Sequence, residues 1–143
     1  MTFDDDVVLD TKDLSVFYGG KPAIEHVSFQ VPRNEVIAII GPSGAGKSTL
    51  IRCYNRMNDL INDVEIKGDI LFEGIPLYAP EADPTEIRFR IGMVFQRPNP
   101  FPKSIYDNVA FGLRINSIQG DLEQMVEESL RKAALWNEVH DRL

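Results

Sequence analysis

The sequence predicts an α/β fold in which a sheet-and-helix core is joined to a small antiparallel β subdomain. Val36–Ile40 is an unbroken apolar run that passes directly into a glycine-rich turn and then a helical pattern. Upstream of it, two segments alternate apolar and polar residues across Gly19-Gly20, and downstream two helical patterns each open on a capping residue. An uninterrupted apolar run fits a strand covered on both faces, whereas alternation fits a strand with one wet face.

Composition narrows what such a fold can serve. With 143 residues, 43% hydrophobic and 26% charged, the chain has room for one domain with a real core. Its apolar runs are too short to span a bilayer, and the start "MTFDDDVVLD" is acidic where a secretory leader is basic. The expectation is a cytoplasmic protein without direct insertion into lipid. A single cysteine, Cys53, excludes an internal disulfide, and His26 and His140 lack Cys or His partners at metal-site spacing. The net charge of −7 argues against broad binding to nucleic acid or anionic lipid, so a phosphorylated ligand must be held locally.

Taken in order, "KDLSVFYGGKPAIEHVSFQVPR" places Leu14, Val16 and Tyr18, then Val27, Phe29 and Val31, on two half-buried antiparallel strands. Tyr18 ends the first of them. Its ring either offers a face to a planar ligand or is simply part of the strand, and the pattern leaves both open.

"EVIAIIGPSGAGKSTLIRCYNRM" then carries the chemistry. Val36, Ile37, Ala38, Ile39 and Ile40 read as the buried strand, and Gly41–Thr49 satisfies G-x-x-x-x-G-K-[ST] in full. Gly41, Gly44 and Gly46, with Pro42, Ser43 and Ala45 between them, let consecutive backbone N–H groups wrap a phosphate. Lys47 adds a point charge that reaches the terminal phosphates, Ser48 offers an oxygen to Mg²⁺, and Thr49 completes the motif. The helix is expected to continue with Leu50, Tyr54, Met57 and Ile61 on one face, its positive end in the loop. This is the pattern of a P-loop NTPase. No Asn-Lys-x-Asp, which reads guanine, occurs.

"GDILFEGIPLY" alternates Ile70 and Phe72 against Leu71 and Glu73 and turns at Gly74, which reads as a further strand. "IGMVFQRPNPFPKSIYDNVAFG" starts like a buried strand at Ile91, Met93, Val94 and Phe95, breaks at Pro98, Pro100 and Pro102, and restarts as a helix. A linker has no use for that apolar run; a proline-rich partner motif is the alternative reading, and the helix restart at Ser104, which places the segment inside a domain, weighs against it. Ser104 with Asp107 resembles a capping box and opens a helix carrying Ile105, Val109 and Leu113. Asp121 with Gln124 opens another. There Leu122, Met125, Val126, Ser129, Leu130 and Ala133 form the expected core stripe, while Glu127, Glu128, Arg131 and Lys132 form a solvated face.

Together, "VFYGGKPAIEHVSFQV", "GPSGAGKST" and "GMVFQ" resemble the aromatic A-loop, Walker A loop and Q-loop of ATP-binding-cassette ATPases, in that order and spacing. The resemblance implies a RecA-like P-loop core, ATP as the nucleotide and Tyr18 as the adenine platform. It also implies that Gln96, with Lys47, belongs to the catalytic set. Gln96 would contact Mg²⁺, as Ser48 does, and hinge a loop that touches transmembrane permease subunits.

"NRMNDL", "GMVFQRPNPFPKSIYDNVAFGLRI" and "KAALWNEVHDRL" further resemble the ATPase subunit of bacterial phosphate importers, with related sequence from about Leu9 to Leu143. That implies a peripheral subunit on the cytoplasmic face of the membrane, paired with a second copy, that supplies work for phosphate uptake. In the family the tail is followed by a Leu-Ser-Gly-Gly-Gln signature, a Walker B strand ending in Asp-Glu and a switch histidine; none occurs here. Residues 1–143 are therefore expected to form a partial ATPase domain that binds nucleotide without the full hydrolytic set, since in-line attack needs a water-orienting group. The alternative is a free-standing module that senses nucleotide without hydrolysing it.

Overall fold

The computed structural model describes residues 6–143. Most of the acidic start, Met1–Asp5, lies outside the described residues. Contacts divide the chain into two compact units, one running to Val94 and the other from Phe95 to Leu143.

The first unit is built on a four-stranded antiparallel sheet. Strand β1 (Val7–Tyr18) pairs with β2 (Lys21–Pro32), and the two-residue Gly19-Gly20 turn has positive φ at both positions, 54° and 75°. Such a turn matches the natural twist of a hairpin, and only glycine adopts it at little cost. The register sets Leu14 against Val27, Val16 against Ile24 and Tyr18 against Lys21. On its other side β1 pairs with β3 (Val64–Phe72), which turns through Glu73-Gly74 into the short β4 (Ile75–Pro76). The sheet order is β2-β1-β3-β4. Helix α1 (Lys47–Tyr54) lays Leu50, Cys53 and Tyr54 on Leu14, Val16 and Ile70 of the sheet, and Leu77 and Ile87 close the core. Burial of this kind stabilises by roughly 25 cal/mol for each Å² of apolar surface. Ile87 comes from helix α2 (Pro84–Arg90), whose Asp83 cap accepts from the Thr85 N–H and whose first residue is a proline.

Several sequence expectations are corrected here. Val36–Ile40 forms no strand: Val36 is 94% and Ile40 91% exposed. A parallel strand takes its hydrogen bonds from neighbours, and among the described residues no strand lies beside it, so the run stays irregular and mostly exposed, with Ile39 alone of its five residues packed on the core. The sheet that does form is wholly antiparallel, in place of the expected RecA-like parallel core. The Ile91–Phe95 segment is likewise irregular, with Val94 99% exposed. Helix α1 also ends earlier than its apolar spacing suggests. Arg56 adopts a left-handed φ of 58°, and Met57–Leu60 forms a separate 3₁₀ turn, so Met57 and Ile61 leave the α1 face.

The second unit is helical. Helix α3 (Ile105–Ile115) begins at Ser104, whose Oγ accepts from the Asp107 N–H at 3.0 Å. Helix α4 (Leu122–Lys132) begins at Asp121, whose carboxylate accepts from Glu123 and Gln124 N–H groups. Both caps stand where the sequence places them. Ala110, Val126 and Leu130 form the buried centre, with Val109, Leu113, Leu122 and Trp136 of the short helix α5 (Trp136–Val139) around it. Ser129 and Ala133, expected in the stripe, are exposed: the Ser129 hydroxyl instead donates to the Met125 carbonyl at 2.7 Å, and Ala133 lies past the end of α4, where Ala134 turns the chain with a φ of 59°. Among the described residues no helix is long and apolar enough to cross a membrane.

Candidate functional site

The glycine-rich loop lies where β2 begins and α1 starts. Gly46 caps α1 with a φ of 84°, and a Cβ on it would stand 2.2 Å from Ile24 Cγ2 and 2.8 Å from the Ala23 carbonyl oxygen. Only a glycine lets the loop pass that close to β2. Gly44 also has a positive φ, 82°, but faces open space. The Ala45 N–H donates to the Pro42 carbonyl at 3.3 Å, which folds Pro42, Ser43 and Gly44 into a turn.

Lys47 braces that turn from inside. Its Nζ donates to the carbonyls of Gly41 at 2.8 Å and Pro42 at 2.7 Å. An ammonium has three N–H donors, so one remains for a ligand in the loop. Ser48, next along α1, is exposed, and Thr49 is half-buried. The opening N–H groups of any α-helix have no intrahelical partner, and the helix dipole makes that end electropositive. The loop therefore leads directly into the electropositive end of α1, with the Lys47 ammonium beside it.

Tyr18 borders the same region from the end of β1. Its ring is half-buried against the core, and its hydroxyl donates to Asn58 Oδ1 at 2.9 Å, with Thr49 Oγ1 at 3.4 Å. The structure thus gathers Tyr18, the Gly41–Thr49 loop and the first turn of α1 into one place within the first unit. Gln96 belongs to the second unit and is exposed.

Two features escaped the sequence. The closeness of Ala23 and Ile24 to Gly46 has no local signature. Asn58 sits within "NRMNDL", which was visible only as a resemblance. Its amide is fully buried and bridges Tyr18 to the backbone of Thr49.

Burial sets the chemistry behind the loop. Desolvation pushes the Cys53 thiol up to about 11 and the Tyr54 phenol up to about 12, so both stay protonated and act as packing groups. Among the described residues no group of three or more His, Cys, Asp or Glu could hold a metal ion. A divalent ion at this loop would therefore need a bound phosphate beside the Ser48 hydroxyl, a donor set that suits Mg²⁺.

Comparison with known proteins identifies the family. The ABC transporter family profile matches residues 24–143. Phosphate import ATP-binding protein PstB 1 of Synechococcus sp. (strain JA-3-3Ab) is 56% identical over 138 residues, covering 96% of this chain and 50% of that protein. PstB of Synechococcus elongatus is 54% identical over 142 residues, covering 99% of this chain and 54% of that protein. The chain thus spans about half the length of the relatives it matches. Among solved structures, cbiO1 of Clostridium perfringens, part of the ABC transporter complex cbiONQ, superposes with a TM-score of 0.73 at 30% identity, over 91% of this chain and 51% of that one. A bacterial Atm1-family ABC exporter with ATP bound gives a TM-score of 0.73 at 25% identity, over 95% and 22% respectively. A family profile spanning most of the chain, relatives above half identity and a matching fold lead to one conclusion: the chain belongs to the ABC transporter family.

Proposed function

We propose that this chain is the nucleotide-binding portion of the ATP-binding subunit of a phosphate importer. The observation that carries the reading is the loop itself: Lys47 braced on the Gly41 and Pro42 carbonyls, with Gly44 and Gly46 in left-handed conformations around it. That arrangement supports a triphosphate held by the backbone of Gly41–Gly46 and by Lys47, with Ser48 supplying an oxygen to Mg²⁺ and Thr49 adjoining. Tyr18 serves as the platform for the base. When ATP is bound, its hydrolysis supplies the free energy that transport consumes.

Phosphate as cargo rests on the relatives, which are described as phosphate import ATP-binding proteins. In this reading Gln96 contacts the metal-bound nucleotide and relays its state to transmembrane permease subunits, and a second copy of the ATPase completes the working pair. The subunit sits peripherally on the cytoplasmic face of the membrane. Residues 1–143 by themselves bind nucleotide without completing hydrolysis.

The test is a complete transporter carrying this sequence, reconstituted in vesicles, with ATP binding, ATPase rate and phosphate uptake measured on one preparation. Uptake of phosphate that requires ATP and is lost in Lys47→Ala supports the assignment. Nucleotide binding with no stimulation of ATPase or uptake by the permease would instead favour a sensor that does not hydrolyse.

A further inference from the structure

The "NRMNDL" stretch lies outside the glycine-rich loop, yet Arg56 and Asn58 within it each hold several hydrogen bonds to distant parts of the first unit. Asn58 is 0% exposed. Its Nδ2 donates to the Thr49 carbonyl at 2.9 Å and to Cys53 Sγ at 3.0 Å, and its Oδ1 accepts the Tyr18 hydroxyl at 2.9 Å. The Thr49 carbonyl can only accept, so the amide has one workable orientation and Tyr18 must be the donor. A buried amide without partners is costly, and this one has a partner on each arm.

The turn that delivers Asn58 is itself locked. Arg56, in its left-handed conformation, donates to Asp59 Oδ2 at 2.8 Å and to the carbonyls of Leu77 at 3.3 Å and Ala82 at 3.0 Å. The chain is thereby folded back beneath α1, which returns Asn58 to the first turn of the helix. A tether at the far end of the Tyr18 ring fixes where the ring lies, since a χ1 swing that carried the ring away would also break the bond.

We infer that Asn58 is a positioning residue of the nucleotide site, holding the Tyr18 ring in register with the first turn of α1. The inference rests on the reading of Tyr18 as the base platform and adds how that platform is held. Packing alone does not call for this pair, because an apolar couple of the same shape would fill the space without a hydrogen bond to satisfy.

The experiment compares ligands with and without a base. In the full-length protein, Asn58→Ala, Tyr18→Phe and the double variant are titrated with Mg-ATP and with Mg-tripolyphosphate, which occupies a phosphate loop but has nothing to stack. Asn58→Ala is expected to weaken ATP binding roughly three- to tenfold, the size of one hydrogen bond, while tripolyphosphate affinity stays within about twofold. Tyr18→Phe, which removes the same bond without opening a cavity, should show the same ligand dependence. The double variant should bind ATP no worse than the weaker single, because both changes remove one interaction.

Equal losses for the two ligands would overturn the inference, since Asn58 would then support only the loop's fold. Unchanged ATP affinity in a folded Asn58→Ala variant would do the same. If Asn58→Ala does not fold, Tyr18→Phe decides alone, and its unchanged ATP affinity counts against the tether. Tyr18→Ala separates the two levels. Parental ATP binding in that variant sinks the platform reading and the tether together, whereas a loss there without one in Tyr18→Phe removes only the tether.

Discussion

Lys47 Nζ donates to the Pro42 carbonyl at 2.7 Å, across the mouth of the loop whose helix it begins. The side chain closes the loop on itself, and under the proposed function it also keeps a positive charge where terminal phosphates would lie. Lys47→Ala removes both. The lost charge-assisted contact is worth about 1.5–3 kcal/mol, which predicts ATP binding weakened roughly ten- to a hundredfold. Isothermal titration of the full-length variant checks it, and affinity equal to the parent would end the phosphate-loop reading.

Gly44 and Gly46 share a left-handed backbone but not an environment. A Cβ at Gly44 meets nothing within 4 Å, whereas one at Gly46 collides with Ile24 Cγ2 and the Ala23 carbonyl. Each alanine costs about 1–2 kcal/mol for its φ, and Gly46→Ala adds an overpacking penalty of about 1–3 kcal/mol. Urea unfolding of the two full-length variants should therefore rank Gly46→Ala clearly below Gly44→Ala. Equal midpoints would mean that the loop does not pass against β2.

Cys53 predicts a pH signature. Burial holds its folded-state value near 11, above its unfolded value of about 8.5, so the neutral thiol is favoured in the folded chain. A folded value raised in this way gives a contribution that is complete below the unfolded value and is lost as pH rises towards the folded one. Cys53→Ala lacks that titration. The Tm gap between parent and Cys53→Ala should then shrink between about pH 8.5 and pH 11, the window set by the two values. Thermal scans of the full-length pair across that range test it, and a constant gap would contradict the burial.

Under the proposed function, Gln96 is expected to divide binding from turnover. A glutamine that contacts bound nucleotide in one state and releases it in another matters more to the reaction than to affinity. In the full-length transporter, Gln96→Ala is expected to leave ATP affinity within about threefold while lowering ATPase rate and phosphate uptake together. A parallel loss of binding and rate, or no change in either, removes the hinge role.

Asn108 organises the proline-rich approach to α3. Its Oδ1 accepts the Phe101 N–H at 2.8 Å, and its Nδ2 donates to the carbonyls of Phe101 at 3.1 Å and Ser104 at 2.9 Å. Asn108→Ala should cost about 1 kcal/mol and speed amide exchange at Phe101, because the segment keeps its prolines but loses its anchor. Unchanged protection at Phe101 would show that Pro98, Pro100 and Pro102 hold the shape alone.

The elements legible in the sequence are those whose causes are local. Gly19-Gly20 between alternating segments specified a hairpin, and Ser104 and Asp121 specified helix starts, because each acts on backbone groups within a few residues of itself. The glycine-rich turn before α1 was legible for the same reason. Its glycines, lysine and serine lie consecutively, and the backbone they shape is their own.

What escaped the sequence depends on partners distant along the chain. Val36–Ile40 has every residue a buried strand needs, yet it forms no strand and is mostly exposed, because a parallel strand exists only beside another and none among the described residues supplies its hydrogen bonds. The end of α1 was decided by Arg56, whose side chain is held by the carbonyls of Leu77 and Ala82. Asn58 is the sharpest case. In the sequence it is one polar residue in a polar stretch, and only the packing of α1 on the sheet brings it to Tyr18. The sequence by itself determined the glycine-rich turn, the start of the helix after it and the hairpin that precedes it, because short-range backbone chemistry suffices for them. Tertiary structure decided how the ring of Tyr18 is held beside that loop, because a hydrogen bond between distant residues forms only after the core has closed around it.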